Sequence, residues 1–185
     1  MLSVEEVAGA AAGCVRCSIR KNTPEVVFGK GSPDARIMVV LEAPDADAAK
    51  EGKPISGEAG ELLYNIFAAS HIKGGDVYVT NLVKCNPPEE RTPTEEEIGS
   101  CKTWLDLEIA AVQPDYLILM GVAPLRAFFG EDAAIQEFRG KWHSFGEIKV
   151  LCTYQPKTLL KKPEYKRMVW EDFKMLMRDL GILKP

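Results

Sequence analysis

Four short apolar runs recur along the chain, ARIMVVL (35–41), DVYVTNL (76–82), DYLILM (115–120) and KVLCTY (149–154), separated by segments of helical spacing. A continuous apolar run keeps no polar face for water, so each reads as a strand covered on both sides. Between them, GEAGELLYNIFAASHI (57–72) repeats its apolar residues at intervals of three and four. Thr94 with Glu97 forms a capping box for a helix reaching about Val112, and VAPLRAFFG (122–130) reads as a short helix. Strands alternating with helices imply parallel pairing through crossovers. The expected fold is therefore α/β, a three-layer αβα sandwich around a mostly parallel, four-stranded central sheet. Ser3 with Glu6 caps a first helix, and KWHSFGEIKVLCTY (141–154) reads as a hairpin or strand pair turning at Phe145 and Gly146. EYKRMVWEDFKMLMRDLG (164–181) is a final helix stopped by Gly181. No repeat, low-complexity run or linker interrupts the 185 residues, so a single domain over 1–185 is expected.

With 46% hydrophobic and 27% charged residues the chain can fill one core. The opening MLSVEEVAGAAAG has acids among its alanines and no basic flank, so it reads as an amphipathic helix rather than a secretory signal. No apolar stretch is long enough for a bilayer, and a cytoplasmic monomer without membrane contact is expected. The net charge of -4 argues against wholesale polyanion binding, but charge is unevenly spread. Residues 139–168 hold eight Lys or Arg against two Glu, a net of +6, which leaves -10 for the rest. A local basic patch of this kind suits either a solvated surface or phosphate contacts.

In an open parallel sheet, ligands bind beyond the carboxyl ends of the strands. Those ends are LEAPDAD (41–47), TNLVKC (80–85), MGVAP (120–124) and TYQPKTLL (153–160), each breaking an apolar run with small, polar or proline residues. The cysteines form a second constellation. Cys14 and Cys17 make a C-x-x-C pair in a loop without periodicity, Cys85 and Cys101 flank another irregular segment, and Cys152 lies in an apolar strand. In a reducing compartment the first four suit a metal centre better than disulfides. By residue type alone, zinc and a [4Fe-4S] cluster fit equally.

Several strings taken together resemble the iron-sulfur uracil-DNA glycosylases, family four of the uracil-DNA glycosylase superfamily. They are CVRC (14–17), VVFGKGSPDARIMVVLEAP (26–44), GKPISGEAGELL (52–63), VYVTNLVKCNPP (77–88), the C-x15-C spacing of Cys85 and Cys101, LILMGVAPLRAFFG (117–130) and TYQPKTLL. They run in the family's order over nearly the whole chain. The resemblance implies that Cys14, Cys17, Cys85 and Cys101 ligate a structural [4Fe-4S] cluster. It implies a DNA glycosylase of base excision repair whose partner is DNA carrying a deaminated or damaged base. Asn81 matches the asparagine that reads the flipped base, and Glu42, followed by Ala43, lies along the base pocket. Asp47 is the acid remaining from the first motif, and Glu42, Asp47 and Gln155 are the catalytic candidates. Lys157, Lys161 and Lys162 would contact phosphates, and Leu159 stands at the place of the wedge that fills the gap left by an extruded nucleotide.

The departures from the family pattern lie in the pocket. Leu41 and Asp45 replace the glycines of G-E-A-P-G, with Asp45 at the position bordering the base. Ile55 replaces the phenylalanine on which the base stacks, and Gln155 replaces a histidine that donates to the base oxygen. Glutamine donates through its amide but does not titrate. Uracil or another deaminated base is the expected substrate, with a catalytically weak nucleic-acid-binding or damage-sensing member as the alternative. His71 and His143 lie outside the four strand ends and are expected to be structural.

Overall fold

The computed structural model describes residues 2–23 and 25–184. The chain opens with α1 (Val4–Ala11), capped by the reciprocal Ser3–Glu6 box. It continues through β1 (Lys30–Gly31), β2 (Ile37–Leu41), α2 (Ala46–Glu51), α3 (Gly57–Ala69) and β3 (Val77–Asn81). The second capping box, Thr94 with Glu97, starts α4 (Glu95–Val112). There follow β4 (Tyr116–Met120), α5 (Val122–Phe129), α6 (Ile135–Phe138), β5 (Trp142–Phe145), β6 (Ile148–Thr153), α7 (Pro156–Lys161) and α8 (Lys166–Asp179). Helices flank a mixed, mostly parallel sheet.

The sheet has six strands, in the order β1-β3-β2-β4-β6-β5, rather than the four expected. The four apolar runs form its parallel centre, and the correction lies at the two edges, where β1 and β5 pair antiparallel. Strand β5 is the first half of the expected hairpin. Strand β1 is two exposed residues, a pairing dictated by its neighbour rather than by hydrophobicity. At Gly31, φ is +140° and a Cβ would stand 2.1 Å from the Val77 carbonyl oxygen, so only glycine allows this close approach.

Every residue of β2, β3 and β4 is buried, as continuous apolar runs require. The main core joins these strands to Leu63, Phe67, Leu105, Phe173 and Leu176 from the helices. A second cluster packs Val7, Ala11, Ile19, Phe28, Val83 and Trp104 around four cysteines. Among the described residues no helix is long and apolar enough to cross a membrane.

Two carboxylates tie α8 to the sheet. Asp172, wholly buried, accepts from Thr153 Oγ1 at 2.6 Å and pairs with Arg139 at 2.8 Å, anchoring the end of β6. Asp179 accepts from Tyr116 Oη at 2.8 Å and Lys149 Nζ at 2.7 Å, and these partners, Lys149 first, hold its pKa below the usual 3.8. The stabilisation is complete above the unfolded pKa and disappears as pH falls through the folded one. Asp179→Asn is therefore expected to cost about 1 kcal/mol at neutral pH in urea denaturation. The difference from the parent protein should shrink steadily as the pH is lowered into the range of carboxylate protonation.

Candidate active site

Strand register brings the first two candidate positions, Glu42 and Asn81, to neighbouring strand ends. Leu41, the last residue of β2, pairs with Asn81, the last of β3. The N–H groups of Leu82 and Val83 then donate to the carbonyls of Leu41 and Glu42 at 2.8 and 3.1 Å, extending the pairing past the strands. Asn81 is fully buried and its Nδ2 donates to the Pro54 carbonyl at 2.8 Å, which fixes the amide orientation; Ile55, the next residue, lines a different groove, with Ser56, Gly60 and Tyr64. Its Oδ1 is buried without a hydrogen-bond partner. An orphaned buried acceptor costs about 1–3 kcal/mol, and a ligand N–H would repay it.

Beyond this edge lies a cleft of about 250 Å³, whose lining includes Glu42, Ala43, Thr92, Gln155, Lys157 and Lys161. Gln155 precedes Pro156, which opens α7 at a position where its missing N–H is no loss. The Gln155 side chain lies across Gly121, where a Cβ would meet its Cδ at 3.4 Å and where φ is +108°. Gln155 does not use its side chain to cap α7. Glu42 and Thr92 also border an adjoining cavity of about 490 Å³, with Ile98, Val122 and Arg126 on its far side. Burial pushes the Glu42 pKa above the ordinary 4.5, opposed by the Thr92 side chain and the Lys157 charge.

The rim is more committed than its residue types suggest. Asp45 caps α2, accepting from Ala48 N–H at 2.8 Å, and its other oxygen pairs with Lys157 at 3.2 Å. Lys157 reaches Glu90 as well, at 3.4 Å. The start of α7 is thus pinned to the loops that carry Asp45 and Glu90, and the charge of Asp45 is offset by a cation. Glu89 and Glu90 hold φ at +55° and +52°, a left-handed conformation costly for residues with side chains. Asp47 is not brought in: its side chain is 80% exposed, and its partner is Lys50 at 3.4 Å. Lys161 and Lys162 are exposed, the latter over the Tyr165 ring at 5.5 Å. Leu159 is fully buried in the main core, whereas Leu160 is 40% exposed. The helical turn of α7 sends only one of the two leucines outward.

The family model for the uracil DNA glycosylase superfamily matches residues 28–174. The chain belongs to that superfamily. A type-4 uracil-DNA glycosylase of Thermotoga maritima is 38% identical over 165 residues, covering 86% of this chain and 85% of its own. Those of Archaeoglobus fulgidus and Sulfurisphaera tokodaii are 30% and 35% identical, covering 100% and 98% of this chain and 97% and 86% of theirs. The superfamily member resembles the type-4 branch over nearly its full length.

In this superfamily member, Cys14, Cys17, Cys85 and Cys101 all join the second core cluster. Trp104 Nε1 donates to Cys14 Sγ, and the Lys84 N–H donates to Cys101 Sγ, each at 3.3 Å. Burial, then the neighbouring Cys101 and Cys17, pushes the Cys85 thiol up to about 12. Among the described residues no group of three or more His, Cys, Asp or Glu forms a site for a single metal ion. Cys152 stands apart in β6, its pKa raised to about 12 by burial and Asp172, as suits an inert core thiol. His143 contacts the Phe138 carbonyl at 2.8 Å and stacks on the Phe138 ring, a packing role.

Thr92, Glu90 and Arg91 also line the cleft, from a proline-rich loop in which no periodicity marks them. The contrast between the two first-motif acids is measurable. Asp45→Ala should lower stability by about 1 kcal/mol through the lost cap, and Asp47→Ala by less than about 0.5 kcal/mol, in denaturant titrations.

Proposed function

We propose that this chain is a uracil-DNA glycosylase of base excision repair, hydrolysing the N-glycosidic bond of uracil flipped from DNA. The observation that carries the reading is Asn81 Oδ1, a buried acceptor without a partner at the end of β3, paired there with Leu41, the residue before Glu42. It suits a base that presents a ring N–H, as uracil does, and opposes cytosine, whose ring nitrogen there is an acceptor. The free proton of Nδ2 would donate to the adjacent exocyclic oxygen, while Gln155 Nε2 would donate to the oxygen on which charge builds. As the bond from the sugar to the base breaks, its electron pair leaves with the base, and water adds to the sugar carbon. Of the two carboxylates lining the cleft, Glu90 is paired with Lys157, so Glu42 is assigned the proton of that water, while Asp47 remains outside. Preorganised donors at a departing anion are worth factors of about 100 to 1,000 each, so a neutral amide in a histidine's place slows rather than abolishes the step.

Phosphate contacts fall to Lys161, Lys162 and Lys157. The exposed pairs that hold Lys157 are worth about 0.2–1 kcal/mol each, weak enough for a phosphate to displace them. The role of the wedge passes to Leu160, since a buried Leu159 has no free face to insert. Cys14, Cys17, Cys85 and Cys101 fit a [4Fe-4S] cluster: the set is all sulfur, and two of its members already accept N–H bonds of the kind that stabilise ligating thiolates. When bound, the cluster would supply no chemistry of its own but fasten the first loop to α4 and to the loop after β3.

The test is base release from uracil, hypoxanthine and xanthine oligonucleotides, single- and double-stranded, by protein with its visible absorption intact. Uracil should be released, Asn81→Ala should lose at least about 100-fold in rate, and Gln155→His should gain. Salt-dependent DNA binding with no base released would instead support the damage-sensing reading. Leu160→Ala should weaken activity on double strands more than on single strands, and Leu159→Ala should mainly destabilise, by about 2–5 kcal/mol.

A further inference from the structure

Helix α4 places Cys101 and Glu108 seven residues apart on one buried face. Glu108 and Lys84 form an ion pair 0% and 1% exposed. The carboxylate also accepts from Tyr78 Oη at 2.9 Å, Thr80 Oγ1 at 2.9 Å and the Gly29 N–H at 3.0 Å. The Lys84 ammonium donates to Glu108, to Thr80 Oγ1 at 2.7 Å and to the Asn81 carbonyl at 2.7 Å, so all three of its protons are used. Desolvating two charges offsets most of their attraction, so a buried pair is by itself weak evidence for stability, and its further contacts call for another account. Apolar side chains cannot hold a carbonyl. The backbone of Lys84 meanwhile points the other way: its N–H is on Cys101 Sγ, and Cys85 is the next residue.

We infer that Lys84 is a positioning residue that couples the cysteine-held centre to Asn81, fixing the end of β3 that carries this amide. The inference rests on the functional reading above only in giving Asn81 the base. Lys84 touches both sides through different atoms, the main chain on the sulfur and the ammonium on the Asn81 carbonyl. A shift of Cys101 therefore moves the main chain from which that ammonium extends. Because Glu108 shares a helix with Cys101, both ends of the ion pair follow the centre together. Loosening the centre should release Asn81 by a fraction of an ångström to an ångström, a misplacement that costs about 100-fold in rate.

Lys84→Met alone leaves Glu108 buried without its cation, and a leucine at 108 would orphan Tyr78 Oη and the Gly29 N–H, so the informative variant is Lys84→Met with Glu108→Gln, whose amide oxygen still accepts from both. It is prepared as full-length protein with its visible absorption. Three quantities are measured: single-turnover release of uracil, affinity for the same single-stranded oligonucleotide, and hydrogen exchange of residues 77–83. The single-turnover rate should fall about 100-fold with DNA affinity unchanged. Exchange over 77–83 should quicken about tenfold while residues 116–120 keep their protection. In the unmutated protein, removal of the centre by a chelator should quicken exchange over the same 77–83 amides. A double variant with the parent rate and exchange profile overturns the inference, as does a rate that falls only with the folded fraction. So does chelation that leaves 77–83 unchanged. Coupled exchange in a protein that releases no uracil would support the coupling and defeat the functional reading, so the two fail separately.

Discussion

The register of the parallel strands is the constraint on which the site depends. Pairing Leu41 with Asn81 and Met120 with Thr153 ends the central strands along one edge, so the loops leaving them must share a small volume. Glu42, Asn81 and Gln155 each follow or end a strand at this edge although the sequence separates them widely, and Glu42 and Gln155 line one cleft. A register slip of one residue would turn each strand's side chains to the opposite face and dissolve the constellation. Buried charges secure these ends. Glu108 with Lys84 holds β3, and Asp172 with Arg139 holds β6 through Thr153, two residues before Gln155.

The second property of the site is that its proposed hydrogen-bond donors are neutral. Asp45, which in isolation would oppose a departing base anion, is occupied by its cap and by Lys157. On the proposed reading, what remains for a base is a pair of amides, one with an orphaned acceptor and one lying across Gly121, with the partly buried Glu42 in the same cleft as the second. Neutral donors stabilise developing charge without titrating, and their strength comes from preorganisation in a dry site rather than from a formal charge. The weight therefore falls on how firmly the amides are held, which gives the ion pair under Asn81 its place in the chemistry.

Much of this could be read in the residues. The parallel centre followed from four apolar runs, both capping boxes from their spacing, and the gathering of four cysteines from the irregular segments they flank. Strand β1 was not legible, because two exposed residues carry no pattern and pair only through their neighbour. Glu108 was legible in principle: Cys101, Trp104, Leu105, Glu108, Ile109 and Val112 recur at helical spacing, and a charge inside that stripe is a signal of burial. Its partner Lys84 lies beyond a strand end, where a lysine ordinarily meets water. Leu159 and Leu160 could not be told apart without knowing how α7 is rotated on the core.

The most direct test of a pocket built on neutral amides is the pH dependence of single-turnover uracil release. Glu42 must be ionised to accept a proton, and its pKa is raised above 4.5, so the rate should climb through one acid-side step and then stay level. Gln155→His should add a second step near the histidine range, about 6.5. A histidine-like step in the unmutated protein, or a rate indifferent to pH on the acid side, would contradict the account.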